Sequence, residues 1–86
     1  MKIKEGFVLR EVADCYVIMY LGGELEFNGM ITLNETGAFI FKAIGQGLTR
    51  EDIAKKLCEE YEVSPEQAMS DIQRFIEQMR GAGVIE

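Results

Sequence analysis

Histidine and tryptophan are absent from the 86-residue sequence, and proline occurs once. Histidine is the usual general base of enzymes and the commonest zinc ligand. Its absence therefore removes Ser-His and Cys-His nucleophile pairs and the usual zinc sites. Carboxylate-only or lysine-based catalysis stays open on composition alone, but no residue pattern supports it. We therefore expect no catalytic residue, no metal and no cofactor.

Cysteine is scarce as well, with only Cys15 and Cys58, and neither belongs to a CxxC motif. Each lies in an apolar pattern and nothing at the start of the sequence looks like a secretory signal, so we predict two core thiols rather than a disulfide. No apolar run approaches the roughly 20 residues that span a bilayer. The expectation is a cytoplasmic protein that does not enter the membrane.

Positive charge is in short supply, since nine Lys and Arg face 15 Asp and Glu, giving a net charge of -6 and a pI of about 4.6. Nucleic-acid affinity comes largely from Lys and Arg that neutralise phosphates, so this balance opposes DNA or RNA binding and better suits a positively charged peptide or protein surface. Glu59, Glu60 and Glu62 could hold a divalent cation. They cluster at a helix C-terminus, where the dipole disfavours acids, and a solvated face is the better interpretation.

What the chain does have is apolar content, at 48% apolar and 28% charged residues. This composition is typical of a single globular domain, here residues 1–86. So short a domain buries a modest share of its surface and often relies on a partner. Docking on a larger protein, or a homodimer formed by exchange at a short hinge such as Gly22-Gly23, is compatible with this size.

The first part of the sequence predicts strands. Residues 7–12 and 15–21 are rich in β-branched and aromatic side chains, and Ala13-Asp14 between them is short enough for a hairpin turn. After Gly22-Gly23, a polar/apolar alternation leads to Asn28-Gly29, a strong hairpin signal. A third strand then covers residues 30–33.

From Asn34 onward the apolar period becomes helical. Asn34, Thr49 and Ser64 are favoured N-caps, and Ser64-Pro65-Glu66-Gln67 has the sequence of a full capping box. Three helices follow, and the third runs to about Arg80 with a buried stripe of Ala68, Met69, Ile72, Phe75, Ile76 and Met79. Strands followed by helices predict an α+β fold, with three helices covering one face of a small three-stranded antiparallel sheet.

A sheet this small leaves an edge unpaired, and residues 30–33 form a candidate edge that could accept an extended peptide as an added strand. Backbone hydrogen bonds would supply affinity. Specificity would come from the third helix, where Asp71, Arg74 and Gln78 lie beside the apolar Phe75. The alternative is an edge that is merely short and protected.

The second and third helices also have the spacing of a helix-turn-helix, so a winged-helix transcriptional regulator or a protein-protein adaptor has to be weighed. The third helix carries Glu66, Asp71 and Glu77 against Arg74 and Arg80. An acid in its first turn would meet the phosphates of DNA. This shape is therefore better explained by a use other than DNA readout.

Two long segments, FNGMITLNETGAFIFKAI and LTREDIAKKLCEEYEVSPEQAMSDIQRFIEQMRGAGVI, together resemble the PqqD-like family, named after coenzyme PQQ synthesis protein D. The most specific part is the stretch from Leu33 to Gly37, followed by the joint from Tyr61 to Gln67. Where many members of the family carry tryptophan in the first helix, this chain has Phe41, which should change only core packing.

The resemblance implies a winged-helix-like, non-catalytic domain that recognises a ribosomally synthesised precursor peptide and presents it to a modifying enzyme, commonly a radical SAM protein. PQQ synthesis is one such pathway among several. The leader segment of the precursor would add beside the third strand, in a groove walled by the third helix. Carried onto this sequence, the implied peptide-binding positions are Gly29, Met30, Ile31, Thr32, Leu33, Asp71, Arg74, Phe75 and Gln78.

Overall fold

A computed structural model of the chain describes residues 2–21 and 31–86. The elements follow the predicted order, with three strands before three helices: β1 (Phe7–Val12), β2 (Cys15–Tyr20), β3 (Ile31–Leu33), α1 (Glu35–Gly45), α2 (Arg50–Tyr61) and α3 (Pro65–Gly81). The α+β prediction is confirmed. Gly22-Gly23, Asn28-Gly29 and Met30 lie outside the described residues, so the hairpin turn predicted at Asn28-Gly29 and the start of the third strand at Met30 stay predictions.

The sheet is antiparallel, in the order β1-β2-β3. Val12 pairs with Cys15 across the two-residue turn Ala13-Asp14, and Ala13 adopts a positive φ of 56°. A positive φ at the first turn residue suits the right-handed twist of a two-residue hairpin. The hairpin signal was therefore correct, although alanine occupies a position that glycine would fill without strain.

Each helix begins at the cap that the sequence indicates. Asn34 accepts a hydrogen bond from the Gly37 amide at 2.7 Å, and Thr49 and Ser64 accept from the amides of Asp52 and Gln67, both at 3.1 Å. The prediction of a full capping box was wrong in one half. The Gln67 side chain does not reach back to Ser64, because its Nε2 donates forward to Oδ1 of Asp71 at 2.8 Å.

The core lies between the sheet and the helices. Ile18 and Leu33 from the sheet pack with a larger set from the helices: Ile40, Phe41, Ile44, Ile53, Leu57, Ile72, Phe75, Ile76 and Met79. Phe41 is 6% exposed and is therefore a core residue, as expected.

Two residues predicted to be buried are not. Cys15 is exposed, because it lies at one end of β2 and on the face opposite to Tyr16 and Ile18, which pack on the helices. Met69 is 39% exposed, since it lies at the border of the apolar stripe of α3. Cys58 is partly buried against the core, as predicted, and both thiols are free.

A contact that the sequence did not predict joins residues 2–4 to residues 84–86. Ile3 and Ile85 form an antiparallel bridge, the Lys4 amide donates to the Val84 carbonyl at 2.9 Å, and the Glu86 amide donates to the Lys2 carbonyl at 3.0 Å. We call this contact the clasp. Of the helices within the described ranges, none has the length and apolar content needed to cross a membrane.

Candidate functional site

β3 is an edge strand of the described sheet, because it pairs with β2 on one side only. The register joins Tyr16 to Leu33, Val17 to Thr32 and Ile18 to Ile31. Backbone groups of successive residues point to opposite sides of a strand, so the register decides which residues of β3 bond to β2 and which face away.

The direction of the backbone groups along β2 follows from two hydrogen-bonded positions between β1 and β2. Val12 and Cys15 close a two-residue hairpin, a position at which both backbone hydrogen bonds are exchanged. The Leu21 amide donates to the Gly6 carbonyl at 2.7 Å, which fixes the same phase at the other end of the pair. The odd-numbered residues of β2 thus bond to β1, and the even-numbered Tyr16 and Ile18 bond to β3.

Thr32 is consequently the residue of β3 whose N–H and C=O point away from β2. Ile31 and Leu33, on either side, use their backbone groups within the sheet. The Thr32 side chain is exposed, whereas Ile31 is half-buried and Leu33 is 9% exposed. Thr32 therefore offers an unpaired donor and acceptor at the described sheet edge.

A groove of about 220 Å³ opens where β3 ends, between α1 and α3. Its α3 wall consists of Asp71, Arg74, Phe75 and Gln78, and the opposite side is formed by Asn34, Thr36, Gly37 and Ile40. Phe75 and Ile40 are nearly fully buried and give the groove an apolar floor. Polar and charged side chains stand above that floor, which is an arrangement common in peptide and ligand sites.

The local sequence explains why the groove lies beside the edge. The Asn34 cap starts α1 directly after β3, so the first turn of the helix stands next to the strand. A β-carbon at Gly37 would lie 3.2 Å from Oδ1 of Asn34 and 3.4 Å from Cβ of Leu33. Glycine thus permits both the close approach of α1 to β3 and the cap that holds it.

The two charged groups of the groove differ in how they are held. Asp71 is half-buried and accepts the 2.8 Å hydrogen bond from Gln67, which orients its carboxylate. Arg74 is exposed, and among the described residues it forms no ion pair and no side-chain hydrogen bond. In the part of the chain that the structure describes, the groove therefore contains a hydrogen-bonded carboxylate, Asp71, and an unpaired guanidinium, Arg74, about one turn apart on α3.

The structure brings together the four α3 residues that the sequence singled out, and it places Thr32 at the adjoining edge. The side chains of Ile31 and Leu33 pack against the core and their backbone groups pair with β2, so of the three residues of β3 only Thr32 presents backbone groups at the edge. Gly29 and Met30 lie outside the described residues. The sequence did not predict the α1 side of the groove. The signal that could have indicated it is the Asn34 cap, which directly follows the edge strand β3.

Tyr61 is a titratable residue whose pKa departs from its ordinary value. Burial, followed by the nearby charges of Glu35 and Glu60 and by Tyr16, raises the pKa of its hydroxyl above the ordinary value of 10.0. The ring packs edge-on against Phe39, with centroids 5.6 Å apart. A tyrosine of this kind stays neutral at physiological pH, so it fits a packing role better than proton transfer.

Metal-ligating side chains do not converge anywhere in the described ranges. Glu59, Glu60 and Glu62 are exposed around the end of α2, which agrees with a solvated acidic face.

Comparisons with known proteins point to one family. The family profile described as Coenzyme PQQ synthesis protein D (PqqD) matches residues 15–85. By structure, the chain is similar to "TbiB1 in Complex with the TbiA(beta) Leader Peptide", with a TM-score of 0.84, 23% identity and coverage of 100% of this chain and 95% of that one. It is also similar to "Lasso peptide synthetase B1 complexed with the leader peptide", with a TM-score of 0.84, 21% identity and coverage of 99% and 95%. No curated protein sequence matches the chain.

Proposed function

Because the chain belongs to the PqqD family, we propose that it binds the leader segment of a ribosomally synthesised precursor peptide and presents that peptide to a modifying enzyme. The observation that carries this proposal is that β3, with the unpaired backbone groups of Thr32, leads directly into Asn34, which lines the groove opposite α3. Two proteins of similar fold, at 23% and 21% identity, are described in complex with leader peptides, which adds support.

The binding mode is strand addition. An extended leader would place a backbone carbonyl opposite the Thr32 N–H and a backbone N–H opposite the Thr32 carbonyl, and would so continue the sheet β1-β2-β3 by one strand. Ile31 and Leu33 hold β3 in place from the other side through β2. Gly29 and Met30, which lie outside the described residues, are further peptide-binding positions that the family resemblance adds to this proposal.

The groove supplies specificity. Side chains of an added strand alternate between its two faces, so every second leader residue would point towards α3. An apolar leader side chain would pack on Phe75 and Ile40, while Gln78, Asp71 and Arg74 offer polar partners to its neighbours. This combination selects a sequence, whereas backbone bonding alone would accept any extended chain.

The proposed role is a peptide chaperone without catalysis of its own. The sequence has no histidine, which excludes Ser-His and Cys-His nucleophile pairs. The chemistry would belong to the partner enzyme, for which the family resemblance suggests a radical SAM protein, in PQQ or a related peptide pathway. The proposal puts the chain in the cytoplasm, where a new precursor is available, and it needs no homodimer.

A chemical-shift titration tests the proposal. The protein is labelled with ¹⁵N, and the probe is the N-terminal segment of a short precursor peptide encoded beside its gene. We expect perturbed amides at residues 29–33 and along α3 near Arg74 and Gln78. Perturbations confined to α2 or to β1 would contradict the proposal.

The alternative function is DNA binding, because α2 and α3 are consecutive helices that pack against each other, as in a helix-turn-helix. The charges of α3 oppose it: Arg74 lies in the groove beside Asp71, and the Arg80 guanidinium donates to the Glu86 carbonyl at 3.2 Å. A gel shift with duplex DNA whose affinity falls steeply with rising salt would favour this alternative. We expect no shift even at low salt.

A further inference from the structure

The charge pattern of the groove indicates what kind of leader it would select. Arg74 has no ion-pair partner within residues 2–21 and 31–86, although Asp71 lies three positions earlier on the same helix. Residues three apart on a helix are neighbours and could form a pair. The Asp71 carboxylate is instead engaged by Gln67 from the preceding turn.

As far as the described residues go, this arrangement leaves the Arg74 guanidinium without a partner. Arginine presents planar donors that match a carboxylate in a bidentate manner, and such charge-assisted hydrogen bonds are stronger when the site is shielded from water. A peptide lying over the groove would provide that shielding, with Phe75 and Ile40 as the apolar floor below.

We propose that the leader recognised here carries an acidic side chain, Asp or Glu, that pairs with Arg74 while the adjoining backbone adds to the Thr32 edge. This inference rests on the proposed function and specifies its substrate class. It runs against the charge of the whole chain, which at -6 would by itself favour basic peptides. The groove thus selects through one local charge and not through the overall field.

Asp71 limits which anionic side chain of the leader can lie beside Arg74. A phosphorylated side chain carries close to two negative charges and would meet the Asp71 carboxylate as well as Arg74. A single carboxylate balances the single cation and leaves Asp71 for a hydrogen-bond donor on a neighbouring leader residue. Because Gln67 holds Asp71 in position, the pair of opposite charges also helps to set the register of the added strand.

The test uses a displayed library of random 12-residue peptides, selected in parallel on the wild-type protein and on Arg74→Glu. Arg74 is exposed, so the substitution should leave the fold intact, which the amide spectrum checks. The matched control is Arg80→Glu, a charge reversal on the same helix. Arg80 lies six residues further on, which turns it about 120° away from Arg74, and it does not line the groove.

We expect wild-type selection to enrich Asp or Glu at one fixed peptide position, Arg74→Glu to enrich Lys or Arg there, and Arg80→Glu to behave as wild type. A selected acidic peptide should bind Arg74→Ala about tenfold more weakly than wild type. The loss should shrink as salt rises.

Two other outcomes separate the two claims. Selected peptides that depend on the Thr32 edge, lose affinity for Thr32→Pro and yet show no acidic preference would overturn this inference and leave the proposed function in place. If no peptide is enriched, or if enriched peptides bind Thr32→Pro as well as wild type, the proposed function fails and the inference fails with it.

Discussion

Thr32 is the residue on which the account depends most. The register with β2 and the Gly6–Leu21 hydrogen bond together direct its N–H and C=O away from the sheet. The sequence predicted the edge strand, but not which of its residues offers free backbone groups. That distinction arises from the pairing phase of β1 with β2, which local patterns do not encode.

Replacing Thr32 with proline should weaken peptide binding about tenfold or more, because proline removes the N–H that the added strand would use. The fold should survive, since this N–H is not used by β2 and Ile31 already has the extended backbone that a following proline favours. Fluorescence anisotropy with a labelled leader peptide measures the change.

Thr32→Val is the matched control, because it keeps the backbone donor and nearly the same shape. It should bind like wild type. Equal weakening by valine and proline would show that the hydroxyl, and not the backbone, makes the contact.

Tyr61 provides a residue-scale prediction about pH. Its pKa in the folded protein is raised above 10.0, chiefly by burial and then by Glu35 and Glu60. The unfolded state therefore loses this proton first, so the contribution to stability is complete below pH 10 and is lost as the pH rises through the folded pKa. Tyr61→Phe keeps the ring against Phe39 and should flatten the fall of the unfolding free energy above pH 10, as measured by urea titration. If the unfolding free energy of Tyr61→Phe fell above pH 10 as steeply as that of the wild type, Tyr61 would not be the group responsible.

At the scale of elements, the caps explain why so much of the helical structure could be predicted. Each of the three caps accepts a hydrogen bond from the backbone amide three residues further on, and each helix begins at the residue after its cap. The caps are Asn34, Thr49 and Ser64. This is local chemistry, and a sequence displays it directly. The capping box failed at Gln67 because Asp71, one turn further along α3, competes for its side chain.

Two cap variants separate stability from binding. Asn34→Ala and Ser64→Ala should each lower the unfolding free energy by about 1 kcal/mol, because each leaves a helix amide without its acceptor. Only Asn34 lines the groove and holds α1 beside β3. Asn34→Ala should therefore also weaken leader binding, whereas Ser64→Ala should not; denaturant titration and anisotropy give the two values. Equal effects of the two variants on binding would contradict the proposed location of the site.

The α1 and α3 walls of the groove show the limit of element-level prediction. The sequence and the family resemblance together indicated Asp71, Arg74, Phe75 and Gln78, but helical spacing alone did not identify their opposite wall. Which residues of α1 face α3 depends on how both helices pack on the sheet, which is a non-local property.

At the scale of the whole molecule, the clasp between residues 2–4 and 84–86 is a contact that no pattern in the sequence predicted. A single bridge between Ile3 and Ile85 has no local signature, because its partners are far apart in the chain. The exposed Cys15 has a related cause. An apolar run predicts a strand, but which side chains of that strand are buried depends on how the helices pack on the sheet.

The clasp should matter for stability. Ile85 is 2% exposed and belongs to the core, so Ile85→Ala should lower the unfolding free energy by about 2 kcal/mol or more through lost burial and the cavity left behind. Val12→Ala is the control, because Val12 is 56% exposed and its truncation should change stability by less than about 0.5 kcal/mol. Thermal and denaturant unfolding compare the two, and an effect of Ile85→Ala no larger than that of Val12→Ala would contradict a structural role for the clasp.

Hydrogen exchange at the single amide of Thr32, with and without a bound leader peptide, examines strand addition at the edge where it is proposed to occur. In the free protein this amide faces away from β2 and should exchange faster than those of Ile31 and Leu33, which are paired within the sheet. Strand addition should slow the exchange of Thr32 far more than that of its two neighbours. A Thr32 amide that is already protected in the free protein, or that is unchanged at saturating peptide, would contradict leader binding at this edge.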